Sequence, residues 1–180
     1  MTDLSKKRVA VLVYDGFEEA EFTEPAKALR EAGAKVEVVS SERQPLQAFQ
    51  HHQPSATKID VDKTLSEVSP DDYDAVMLPG GALNADEMRA DEAAKAFVKK
   101  AYDEGKPMAV ICHAPWILAS TGIARGHKLT SWPGIQDDLR SAGAQWEDSE
   151  VVVDGNIVSS RSPKDLPAFN RAMVELFAGK

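Results

Sequence analysis

Arg8-Val9-Ala10-Val11-Leu12-Val13-Tyr14 is an apolar run unbroken after its first residue. A strand with one wet face alternates apolar and polar positions. This one does not, so it belongs in a parallel sheet covered on both faces. Working outward, Glu18 to Ala32 predicts a helix stopped by Gly33, and Lys35 to Ser40 a second strand. The alternation continues with a strand over Asp74–Leu78 and a helix over Asp91–Glu104, whose Ala94, Phe97, Val98 and Ala101 share one face. A strand over Pro107–Cys112 follows, then helices over Ala114–Ser120 and Gly134–Ala142. Asp154-Gly155 predicts a hairpin within Val151–Ser159. Pro163 to Ala178 reads as a last helix, with Ser162 at its N-cap. Residues 41–56 are polar, contain Pro45 and Pro54, and read as one long loop. The expected fold is α/β: a doubly wound, mostly parallel sheet with helices on both faces and a C-terminal hairpin. Residues 1–180 are expected to form a single domain.

Composition narrows the function classes. Hydrophobic residues make up 43% and charged residues 28%, which is ordinary for a soluble globular chain. With one Cys, no intrachain disulfide and no multi-cysteine zinc site can form. The net charge of −8 argues against a nucleic-acid partner. The first apolar run is too short for a membrane helix and lacks a small-residue cleavage site, so a cytoplasmic protein without a membrane partner is expected. Neither phosphate-loop nor dinucleotide glycine motifs occur, and His51-His52 are adjacent, not spaced as metal ligands, so no cofactor and no metal is expected.

In doubly wound sheets, ligands bind outside the carboxyl ends of the strands. Three such ends carry chemistry: Asp15-Gly16-Phe17-Glu18-Glu19-Ala20-Glu21, Pro79-Gly80-Gly81-Ala82-Leu83-Asn84 and Cys112-His113-Ala114-Pro115. Cys112 ends a strand just before a predicted helix, as in a nucleophile elbow with Cys in place of Ser. A helix N-terminus and His113 alongside predict a thiol below the roughly 8.5 of free cysteine. The bland reading is a buried core thiol. Backbone N–H groups of Gly81 and His113 are candidates for an oxyanion hole. Glu18, Glu19 and Glu21 suit a first helical turn, and one of them at a thiol site can donate a proton to sulfur. His51 and His52 read as a site rim or a solvated loop, and Trp116, Trp132 and Trp146 as core or pocket wall.

With those residues in place, the chain resembles the PfpI family of intracellular cysteine proteases, within the DJ-1/PfpI, class I glutamine-amidotransferase-like superfamily. The resemblance rests on Asp15-Gly16-Phe17-Glu18-Glu19-x-Glu21, Asp72-Tyr73-Asp74-Ala75 leading to Leu78-Pro79-Gly80-Gly81, and Gly105-Lys106-Pro107. It continues through Ile111-Cys112-His113-x-Pro115, Ser131-x-Pro133-Gly134-Ile135-x-Asp137-Asp138, Glu150 to Asn156, and Ser160-Arg161-x-Pro163-x-Asp165-Leu166-Pro167. It implies a flavodoxin-like fold and a nucleophilic Cys112 with His113 as partner. It also implies a Glu21 carboxyl bonded to the sulfur, and Asp86 (with Glu87 in reserve) reaching His113 of a neighbouring subunit. A homodimer or higher homo-oligomer with a shared site follows. Many relatives carry Gly where Ala114 stands. The family's activities are peptidase, protein deglycase and glyoxalase, so the implied substrates are small carbonyl compounds or peptides and proteins. A stress-related cysteine hydrolase or deglycase ranks first. A redox sensor with an oxidisable Cys112 and a chaperone-like homodimer are the alternatives.

Overall fold

The computed structural model describes residues 2–179. The strands in chain order are β1 (Arg8–Leu12), β2 (Phe17–Glu18), β3 (Lys35–Ser40), β4 (Leu46–Gln50), β5 (Gln53–Ile59) and β6 (Lys63–Thr64). They continue with β7 (Ala75–Leu78), β8 (Met108–Ile111), β9 (Lys128–Leu129), β10 (Gln145–Trp146), β11 (Val152–Asp154) and β12 (Ile157–Ser160). The helices are α1 (Glu19–Glu31), α2 (Ala82–Ala90), α3 (Glu92–Asp103), α4 (Trp116–Ser120), α5 (Gln136–Ser141) and α6 (Leu166–Phe177). Seven strands form the main sheet in the order β11-β12-β8-β7-β1-β3-β6. All pairings in it are parallel except β11 with β12.

The unbroken run in β1 is buried on both faces. Ala10, Leu12 and Tyr14 pack with Phe97 and Val98 of α3 and Ile117 of α4. Val9, Val11 and Val13 pack with Phe22 and Leu29 of α1 and Phe169 and Met173 of α6. Pro25 lies inside α1 and cannot supply the helical N–H for the Glu21 carbonyl. Among the described residues no helix is long and apolar enough to cross a membrane.

Residues 41–56 are not a loop. β4 and β5 form an antiparallel hairpin turning at His51-His52, and β4 also pairs in parallel with β2. Leu46 and Ala48 are buried at alternate positions. The pairing partner is distant in sequence, so local composition conceals the strand. The sequence also conceals α2, whose few buried positions, Asn84, Ala85 and Met88, include a polar one. Both Pro-led helices begin as 3-10 turns, Pro133–Ile135 and Pro163–Asp165, and Ser162 makes no side-chain cap. The helix expected from Ala114 begins only at Trp116.

Asn84 ties two strand ends together. It is fully buried, accepts from the Tyr14 N–H at 2.7 Å, and donates to the carbonyls of Pro79 and Gly80 at 2.9 and 3.0 Å. Asn84→Ala leaves buried backbone groups unpaired and should cost about 1–3 kcal/mol, read by urea unfolding. Unchanged stability would mean that water replaces the amide there.

Candidate active site

β8 ends at Ile111, and Cys112 takes a left-handed φ of +63°, which side chains other than glycine rarely adopt. Its N–H donates to the Ser160 carbonyl at 3.0 Å, and its carbonyl accepts the Trp132 N–H at 2.9 Å. Flanking segments thus hold a conformation that costs about 1–3 kcal/mol. The kink breaks strand alternation and brings neighbouring side chains together. Cys112 Sγ lies 3.1 Å from His113 Nδ1. Trp132 stacks on the imidazole at 6.0 Å between centroids, and Trp116 meets it edge-on at 5.2 Å.

The Gly80-Gly81 turn closes the other side. A Cβ on Gly80 would collide with Glu21 Oε1 and the Cys112 Cβ, and one on Gly81 with the Gly16 carbonyl. Gly81 also has φ +100°. Both positions therefore demand glycine. The N–H groups of Gly81 and His113, expected as oxyanion donors, lie near enough to the sulfur to favour its thiolate form.

Glu21 projects from α1 with 0% exposure, and neither carboxyl oxygen has a well-aligned hydrogen bond. Burial, with the charge of Glu18 adding to it, pushes Glu21 up to about 8, so it keeps its proton at neutral pH. Burial lowers His113, with His52 adding to the effect, so the imidazole is neutral and free to accept a proton. Burial pushes the Cys112 thiol well up, and a charged Glu21 would push it further; the two N–H groups pull the other way. The expectation of a thiol below the free value thus reverses. It counted a helix N-terminus that lies farther on, and it omitted desolvation.

A cavity of about 170 Å³ adjoins the sulfur. Cys112, His113, Glu21 and Gly81 all line it. So do His51 and His52, which makes them rim, and Trp132, which makes it wall. Glu18, Ala82 and Pro163 join them: Glu18 is one of the three candidate acids, Ala82 follows the Gly80-Gly81 turn, and Pro163 opens the last helix. Asp86 and Glu87 do not; both lie on the exposed side of α2. Among the described residues, no group of three or more His, Cys, Asp or Glu is placed to hold a metal ion.

Two outcomes follow from a protonated Glu21. Glu21→Gln keeps a donor toward sulfur and Glu21→Leu does not. Iodoacetamide rates against pH should place the thiol midpoint of the Leu variant at least about one unit above that of the Gln variant. Coincident midpoints refute the donor role. An acid raised on folding contributes stability at low pH and loses it as pH rises, here from 4.5 to about 8. In urea unfolding, the wild type should lose stability relative to Glu21→Gln across that window. A constant difference means that Glu21 is ionised throughout.

The DJ-1/PfpI family model matches residues 7–176. A deglycase of Pyrococcus abyssi is 45% identical over 169 residues, covering 94% of this chain and 98% of its own. Protein/nucleic acid deglycase 2 of Escherichia coli is 42% identical over 171 residues, covering 94% and 97%. The solved structure of Drosophila melanogaster DJ-1beta superposes with a TM-score of 0.87 at 32% identity, covering 97% of this chain and 91% of that one. The flavodoxin-like fold is theirs as well. The left-handed cysteine, the glycine turn and the match along nearly the whole chain have one reading: this protein belongs to the DJ-1/PfpI family.

Proposed function

We propose that the protein is a cysteine-dependent deglycase of PfpI type, which frees amines from carbonyl adducts. The observation that carries this is the contact of Cys112 Sγ with a neutral His113 Nδ1 at 3.1 Å beside a small cavity. The amine leaves the carbinolamine carbon of a dicarbonyl adduct as that carbon regains its aldehyde C=O, and His113 takes the thiol proton as sulfur adds to the same carbon to form a hemithioacetal. The Gly81 and His113 N–H groups receive the developing oxyanion. His113 returns that proton to the alkoxide; the C–H proton of the hemithioacetal carbon then moves to the neighbouring carbonyl carbon through an enediol, leaving a 2-hydroxyacyl thioester, and water cleaves this to the hydroxy acid and the free thiol. Glu21, protonated, donates to the thiolate while it exists. The deglycase names of the relatives favour this reaction over peptide cleavage. The charge of −8 argues against holding a long polyanion, but not against a single adducted base entering the cavity.

Turnover of methylglyoxal–amine adducts, free methylglyoxal and a peptide amide should be measured in parallel. Cys112→Ser should lose at least about 10³-fold on the adduct, and His113→Ala about 10²-fold or more. Adduct turnover that survives Cys112→Ser ends the proposal.

We also read the working unit as an oligomer. With Nδ1 turned to sulfur, Nε2 of His113 is left for a second partner, and Asp86 stands exposed on α2. An acid supplied by a second copy would orient the ring. Mixing Cys112→Ser with Asp86→Ala subunits should then restore activity. No recovery after demonstrated subunit exchange excludes a shared site.

A further inference from the structure

Cys112 is only 7% exposed, so whatever covers it decides what reaches it. The cavity of about 170 Å³ is close to the roughly 150 Å³ that admits a benzene ring. It is well below the roughly 300–1,000 Å³ of pockets for drug-sized ligands. His51 and His52, at the tip of the β4–β5 hairpin, form part of its wall.

That hairpin belongs to its own small sheet, built onto the segment before α1. The Gln47 N–H donates to Asp15 Oδ1 at 2.8 Å, and the Gly16 N–H to the Gln47 carbonyl at 3.0 Å. Gln50 Nε2 and Ser55 Oγ both donate to the Glu19 carboxylate, at 2.7 and 2.9 Å. At the tip, the His51 N–H lies 3.1 and 3.0 Å from the two oxygens of Glu18. His51 itself has φ +58°, a conformation that needs such an anchor. The Glu18 N–H in turn donates to the Gly80 carbonyl at 3.1 Å. One residue therefore links the tip to the turn behind the sulfur.

We propose that the His51–His52 tip is a size filter and that Glu18 is the positioning residue holding it over Cys112. The site then takes small carbonyl compounds and adducts on free amino acids or slender side chains, and excludes extended peptides. This names the substrate class of the site proposed above and rests on that reading, but its test does not need turnover.

Cys112 is labelled with N-ethylmaleimide and with a pyrene maleimide, and the ratio of rates is divided by the same ratio for free cysteine. The wild type should favour the small reagent by about tenfold or more beyond free cysteine. Replacing both tip residues, His51→Gly with His52→Gly, suits the left-handed backbone and should erase most of that preference. Glu18→Ala should do the same, while Glu18→Gln keeps an acceptor for the His51 N–H and stays near wild type. Dividing the two rates cancels any change in thiol ionisation. A wild type no more selective than free cysteine, or a folded double-glycine variant with the wild-type ratio, overturns the filter. A chain that shows the filter but turns over no adduct would instead overturn the deglycase reading alone.

Discussion

The site depends on one backbone conformation, the left-handed Cys112. Without it, Cys112 and His113 would point to opposite faces of β8 and never meet. It persists because neighbours grip the peptide units on both sides of the residue: the Ser160 carbonyl at the end of β12 accepts its N–H, and the Trp132 N–H donates to its carbonyl. Gly80-Gly81 makes room on the far side, and Asn84 fixes that turn against the end of β1. Four strand ends thus converge on one sulfur.

Burial then sets the electrostatics. Three titratable groups share a nearly dry space, and each is pushed toward its neutral form: thiol, imidazole and carboxylic acid. In the proposed reaction, charge appears there only as the sulfur reacts. Glu18 stands at the border between this dry interior and the solvent-facing hairpin. Its carboxylate both anchors the tip and raises the proton affinity of Glu21.

The main sheet was legible because its signals are local. The apolar run of β1, the face of α3 and the Asp154-Gly155 turn need no distant partner to be recognised. The β4–β5 hairpin was not legible, since β4 is docked on Phe17-Glu18, far off in sequence. Nor was α2, held by the inward bonds of Asn84 and not by an apolar stripe. The site residues Cys112, His113, Glu21 and Gly81 were readable as chemistry at strand ends. Glu18 was readable as a first-turn acid or one of three candidate donors to the sulfur, but not as the anchor of the tip, and His51 and His52 only as loop or rim, because their place depends on how the hairpin folds back.

By itself, then, the sequence determined a doubly wound sheet, the sole thiol at the end of a strand and a histidine beside it. Hydrophobic periodicity and residue order carry that information. The tertiary structure decided the protonation states, the size of the cavity and the identity of its outer wall. Those depend on desolvation and on contacts between segments far apart in the chain, and neither is written in any local stretch of residues.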